Sequence, residues 1–409
     1  MIRMTKVHFP TLSHNTLRSQ SVTSANCCGN EGGNGLLAPS TQTRTSARKA
    51  LIAFRSAVLG PYMRALHARG VNPKKVAFSS FKGAAFSDSP RAIAEALHEM
   101  RPDADIVFQL GKEADAPAWV RRVAPRSLRW VGEMSTARVY VDNFNRPFYQ
   151  IKFPDQKYVQ TWHGDRGFKR VLYDMDPDGG FPDYKYMDLA VAGSDFCEKM
   201  YRTAFRYGGE VLKVGLPRND QLLNPMPMRE ARRRTGLPQD KKILLYAPTF
   251  RDSARGGLFH PPFDLAAAVS ALRAETGEDW ICAARAHDLN AGVAGADADV
   301  TKYPDMAELM MASDMLLTDY SSCAGDFPLL GRPTVLFHPA ERFERALYFD
   351  VEKSPYRIAH TEAELRDLLI QTGDARQNAD EILAFFGTHE TGRSAVAVAA
   401  RISEWMDAK

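Results

Sequence analysis

The stretch KILLYAPTFRD, residues 242–252, decides the fold. Its first six residues, Lys242–Ala247, form a short apolar run that reads as a buried strand. The run stops on Pro248, Thr249, Arg251 and Asp252. Apolar strands that end on polar side chains suit a parallel sheet, which binds its ligand at the carboxyl ends of its strands.

The same pattern recurs on both sides. Downstream, Trp280–Ala284, Met315–Thr318 and Thr334–His338 read as strands, with helices expected over Phe263–Glu275, Asp305–Ala312 and Thr361–Thr372. Upstream, Val76–Ser80, Asp105–Leu110, Val139–Asp142 and Tyr158–Thr161 read as strands, with a helix over Pro90–Met100. Strands alternating with helices imply parallel sheets covered on both faces. Two such series predict two Rossmann-like doubly wound α/β domains, over 46–224 and 225–409. The break falls at Asn224-Pro225-Met226-Pro227, where two prolines interrupt any helix. A length of 409 residues suits two domains. Residues 1–45, with twelve Ser or Thr, read as a disordered tail.

Several classes drop out. The five cysteines form no C-x-x-C pair, so a disulfide framework and a cysteine zinc site are disfavoured and a reducing, cytoplasmic setting fits. No run of about 20 apolar residues is present to span a bilayer. A net charge of +4 makes a nucleic-acid partner an unexpected one. The phosphate loop G-x-x-x-x-G-K-[ST], a strand-linked G-x-G-x-x-G, H-E-x-x-H and G-x-S-x-G are all missing.

Polar residues at the strand ends are the candidate site. His163 follows the Tyr158–Thr161 strand, with Gly164 allowing close approach and Asp165 able to orient the ring. Arg218 in GLPRND, residues 215–220, is a candidate anion contact; Asn219 or Asp220 could equally be a helix cap. Thr249 and Arg251 offer a hydroxyl and a forked charge to a phosphate. Arg285 and His287 lie two residues apart and share a side if the chain stays extended. Thr318, Asp319, Ser321 and Ser322 lead into a helix start towards Asp326, where an anion is favoured; a plain cap is the alternative for the serines.

Taken in order, TWHGD with FKR (161–170), GSDF (193–196), GLPRND (215–220), LLYAPTFRD (244–252), RAH (285–287) and SDMLLTDYSS…DF (313–327) resemble the CDP-glycerol glycerophosphotransferases of teichoic acid synthesis. The resemblance runs over about residues 75–352. It implies a GT-B-like pair of domains facing a cleft, with the acceptor on the first and a CDP-linked donor on the second. It implies final helices that pack back across the first domain, here Ile382–Phe386 and Ala395–Met406. The implied reaction moves glycerol phosphate, or a related polyol phosphate, from CDP-glycerol or CDP-ribitol to a hydroxyl acceptor, releasing CMP. The acceptor would be lipid-linked. His163 would be the general base, with His287 also catalytic. Arg251, Thr249, Arg285, Thr318, Asp319, Ser321, Ser322, Asp326 and Arg218 would hold the donor. Gly164, Asp165 and Asn219 would face the acceptor. No cofactor and no obligatory metal are expected, since cationic side chains can neutralise the phosphates. Another transferase on the same scaffold using a nucleotide sugar, or a non-enzymatic membrane-associated scaffold, are the alternatives. One departure stands out: the family's WHG is usually followed by Thr-Pro-Leu-Lys, whereas this chain has Asp165, Arg166, Gly167 and Phe168, with Lys169 and Arg170 beyond.

The near-neutral net charge hides an uneven distribution. Residues 46–87 carry eight basic and no acidic residues, while 88–409 carry 41 basic and 48 acidic. A helical pattern over 47–68, through Leu51, Phe54, Val58, Tyr62 and Leu66, carries much of that basic excess. Its apolar face can cover a core, or lie on an anionic membrane at the inner face of the cell membrane.

Overall fold

The computed structural model describes residues 56–112, 114–145, 150–179, 181, 184–249, 257–286, 292–339 and 346–408. All of these fall in one compact unit, Ala50–Lys409. The tail expected over 1–45 lies outside the described residues.

Two parallel sheets form the frame. The first contains β1 (Asn72–Ser79), β2 (Asp105–Gln109), β3 (Arg121–Val123), β4 (Ala137–Asp142), β5 (Lys157–Gln160), β6 (Leu189–Ala192) and β7 (Val211–Lys213). Their order across the sheet is β3-β2-β1-β4-β5-β6-β7. The second contains β8 (Lys242–Ala247), β9 (Trp280–Ala284), β10 (Ala298–Asp299), β11 (Met315–Thr318), β12 (Thr334–Phe337) and β13 (Arg357–Ala359), in the order β10-β9-β8-β11-β12-β13. Among the described residues, all neighbouring strands of the two sheets pair in parallel. Both orders reverse beside the first strand of their series. Such a switch point opens a crevice at the carboxyl ends, between β1 and β4 in one sheet and β8 and β11 in the other.

Burial on both faces explains the unbroken apolar runs. Ile243–Ala247 in β8 and all of Met315–Thr318 in β11 are buried. The sheet faces pack on helices such as α2 (Asp88–Met100), whose Ile93, Ala94 and Leu97 are fully covered. The final helix, Ser394–Asp407, returns to the first sheet. Its Val398, Ala399, Ile402 and Met406 share a core with Val76, Phe78 and Ile93. Ile382 and Phe386 take another place, packing with Phe168, Tyr320 and Tyr356 in a cluster that joins the two halves of the chain.

The strands β3, β6, β7, β10 and β13 go beyond the sequence reading. They are two to four residues long. Leu189–Ala192 is half alanine, a helix former, and is held as a strand by its neighbours β5 and β7. The amino-terminal helix is described over 56–67. Met63 is buried with Val131 and Phe153, so part of this helix covers a core, while Val58 stays exposed. Leu51 and Phe54 lie outside the described residues. Cys197, Cys282 and Cys323 are buried free thiols.

Candidate active site

The two switch points open onto one cleft of about 1200 Å³. Its lining includes Phe81, Asp88, His163, Lys169 and Arg218 from the first half and Thr249, Arg285, Ser321, Ser322 and Asp326 from the second.

His163 is placed by the end of β5. Thr161 N donates to Asp142 O at 3.0 Å, and Trp162 N donates to Gln160 Oε1 at 2.9 Å. Trp162 has φ 52°, a left-handed conformation that costs a bulky residue on the order of 1–3 kcal/mol. His163 Nδ1 lies 2.6 Å from the carbonyl oxygen of Asn143. A carbonyl only accepts, so Nδ1 carries the proton and Nε2 is the proton-accepting nitrogen. Phe144 stacks on the ring at 5.0 Å, Trp162 lies at 4.2 Å, and Phe81 meets it edge-on at 5.6 Å. Burial holds the imidazole below its ordinary pKa; the Asn143 bond opposes this, and the charges of Arg218 and Lys169 reinforce it. The acid limb of the rate profile is therefore expected below the ordinary histidine value of about 6.5. A kcat/KM profile from pH 5 to 9 checks this; a limb above neutrality would contradict a neutral His163 base.

Asn143 was not singled out from the sequence as a site residue. Its carbonyl fixes the His163 tautomer, and its Oδ1 accepts from Phe81 N at 2.9 Å. The only available signal was a polar Asp-Asn pair closing an apolar strand. The turn it holds is unusual: Phe81, Lys82 and Gly83 have φ of 46°, 61° and 87°. Asp88, also at the cleft, has φ 60°. Such strain gathers where a site must be preorganised.

Asp165 does not orient His163. Its carboxylate accepts from Gly193 N at 2.6 Å and from Ser194 Oγ at 2.5 Å, and it is buried away from the ring. Arg166 beside it is fully buried. It donates to Gly325 O at 2.7 Å, Asp326 Oδ1 at 2.7 Å and Glu390 Oε1 at 2.9 Å. Burial opposes its charge, but Asp165, Glu390 and Asp326 outweigh burial and raise its pKa. Gly325 is required for this approach, because a Cβ there would lie 2.4 Å from Arg166 Cβ. Arg218 donates to Asp88 at 3.1 Å and to Asp326 at 2.8 Å, and Asn219 bridges Asp326 and Glu390. Thus Asp165, Asn219 and Asp326 are tied into a buried strut that joins the halves. Arg218 belongs to the same strut, and Arg218, Asn219 and Asp326 each also line the cleft. Glu390, which burial pushes up to about 6, is a member that no strand-end motif marked.

The second switch point is closed by Thr249 N donating to Asp319 Oδ1 at 2.7 Å. Asp319 and Thr318 support this mouth, Thr318 Oγ1 donating to Ala247 O at 2.6 Å. Thr249 Oγ1 is buried and has no hydrogen-bond partner among the described residues, so it retains a donor for a ligand at the cleft it lines. Ser321 and Ser322 also line the cleft, and Gly164 faces Ser322, a Cβ on it falling 3.7 Å from Ser322 Cβ. Arg251 and His287 lie outside the described residues. Among the described residues, no group of three His, Cys, Asp or Glu is arranged to hold a metal ion.

Two doubly wound parallel sheets opening onto a shared cleft, with a neutral histidine on one wall, define a GT-B-like protein. The family described as CDP-Glycerol:Poly(glycerophosphate) glycerophosphotransferase matches residues 61–404, and the chain belongs to it. It is 33% identical over 314 residues to a teichoic acid poly(glycerol phosphate) polymerase of Bacillus subtilis (strain 168), covering 69% of this chain and 42% of that relative. The chain thus spans less than half of that relative's length. A polymerase of the same description from Bacillus spizizenii is 29% identical, covering 83% of this chain and 94% of its own length. A structure of the wall teichoic acid polymerase TagF soaked with CDPG superposes with a TM-score of 0.74 at 27% identity, over 89% of this chain and 98% of that one.

Proposed function

We propose that the chain transfers glycerol phosphate from CDP-glycerol to the terminal hydroxyl of a teichoic acid type acceptor and releases CMP. The observation that carries this is His163: a neutral imidazole, its tautomer set by Asn143, facing across the cleft from Thr249, Arg285 and the Ser321–Ser322 turn. Family membership and the CDPG-soaked TagF structure support the choice of donor. In the reaction His163 Nε2 takes the acceptor hydroxyl proton. The oxygen attacks the β-phosphorus of the donor, and the bond to the bridging oxygen breaks, its electron pair leaving with CMP. Arg285 and the Thr249 hydroxyl stabilise charge on the transferring phosphate and on the departing CMP. Arg251 and His287 are assigned to the same anion by the sequence. The acceptor is lipid-linked on this reading, and the basic amino-terminal segment brings the protein to an anionic membrane at the cytoplasmic face. No described helix is long and apolar enough to cross a membrane.

Arg285→Ala tests the donor side. Loss of one charged hydrogen bond to phosphate is worth on the order of 1.5–3 kcal/mol, so donor KM or transfer should worsen about ten- to hundredfold. Titration with CDP-glycerol measures it, and unchanged kinetics would place the donor elsewhere. Turnover in the same assay is expected to persist in EDTA, the phosphate charge being met by side chains.

A further inference from the structure

We propose that Lys82 and Lys169 read the acceptor: they bind the phosphodiester next to the acceptor's terminal hydroxyl and so bring that hydroxyl onto His163. The proposal rests on the transfer reading above and adds a specificity-determining pair to it.

Lys169 lines the cleft, and its charge is felt by His163. Lys82 Nζ lies 4.4 Å from the Phe144 ring centroid, and Phe144 stacks on His163 at 5.0 Å. Two ammonium groups therefore adjoin the base, one in the cleft and one a single ring away. The turn that carries Lys82 is strained at Phe81 and Lys82, yet both are exposed. Asn143 holds this turn through Phe81 N, which keeps Lys82 beside the aromatic ring that packs on the base. The departure after Trp162-His163-Gly164 fits the same picture. Asp165 and Arg166 turn inward to the strut, and Lys169 is the residue of that segment that returns a positive charge to the cleft.

The chemistry favours a phosphodiester. A terminal polyol alone offers neutral hydroxyls. The phosphate one unit inward offers a fixed negative charge, which lysine meets as a point charge without demanding one orientation. The donor diphosphate has its own partners on the opposite wall in Arg285 and Thr249, so the two anions are kept apart.

The test uses the full chain, CDP-glycerol and two soluble acceptors in lipid-free buffer: a glycerol-phosphate dimer and unphosphorylated glycerol. For Lys82→Ala/Lys169→Ala we expect KM for the dimer to rise about ten- to hundredfold, with kcat nearly unchanged. At pH 8, where His163 is neutral with or without the Lys169 charge, transfer to glycerol should fall far less than transfer to the dimer, the wild-type salt dependence on the dimer should flatten, and Lys82→Arg/Lys169→Arg should restore most of the affinity. Equal losses on both acceptors, or no change on either, would overturn the assignment. So would an unchanged dimer KM alongside lost pelleting with anionic vesicles, which would make the lysines a membrane contact. Wild-type protein that transfers to neither acceptor would overturn the transfer reading itself.

Discussion

His163→Ala is expected to lower transfer by about 10²–10⁴-fold, the range for a general base, while CDP-glycerol still binds. The hydroxyl is a poor nucleophile at neutral pH, and His163 is where the first half of the cleft offers a neutral proton acceptor with a defined tautomer. Donor affinity should survive because Thr249, Arg285 and the serines lie on the other half. Isothermal titration with CDP-glycerol and a CMP-release assay separate the two effects. Near-normal transfer would remove His163 from the mechanism, and lost donor binding would move it to the donor site.

Replacing Arg166 with methionine should destabilise the fold by about 3–5 kcal/mol, the cost of breaking a buried ion pair from one side. The guanidinium is fully covered and serves Asp326, Glu390 and the Gly325 carbonyl together. Its removal leaves buried carboxylates without that partner, in a strut that also holds Arg218 and Asn219. Urea denaturation measures the loss. Arg401→Ala is the control: its pair with Glu210 is partly exposed at the surface and should matter by no more than about 1 kcal/mol. Equal effects of the two substitutions would contradict the strut.

Both sheets were legible in the sequence because their central strands are buried on both faces and so appear as apolar runs closed by polar residues. Lys242–Ala247, Trp280–Ala284 and Met315–Thr318 match their strands residue for residue. Edge strands such as Arg121–Val123 and Arg357–Ala359 carry no such run, since pairing rather than pattern makes them strands. The cleft lining was legible where a polar residue closes a strand, as with His163, Thr249 and Arg285. The ties between the halves were not legible. Asn219 and Asp326 line the cleft, and only their partners in space show that they also join Asp165 in the strut. Asn143 escaped for the opposite reason: its decisive atom is a backbone carbonyl, which no residue type advertises.

The most direct measurement is the stoichiometry of nucleotide release. Purified protein is given CDP-glycerol and a glycerol-phosphate acceptor, and nucleotides and products are quantified together by mass spectrometry. The account predicts one CMP for each glycerol phosphate added to the acceptor, with both lost together in His163→Ala. Release of CDP, or acceptor growth without CMP, would contradict it.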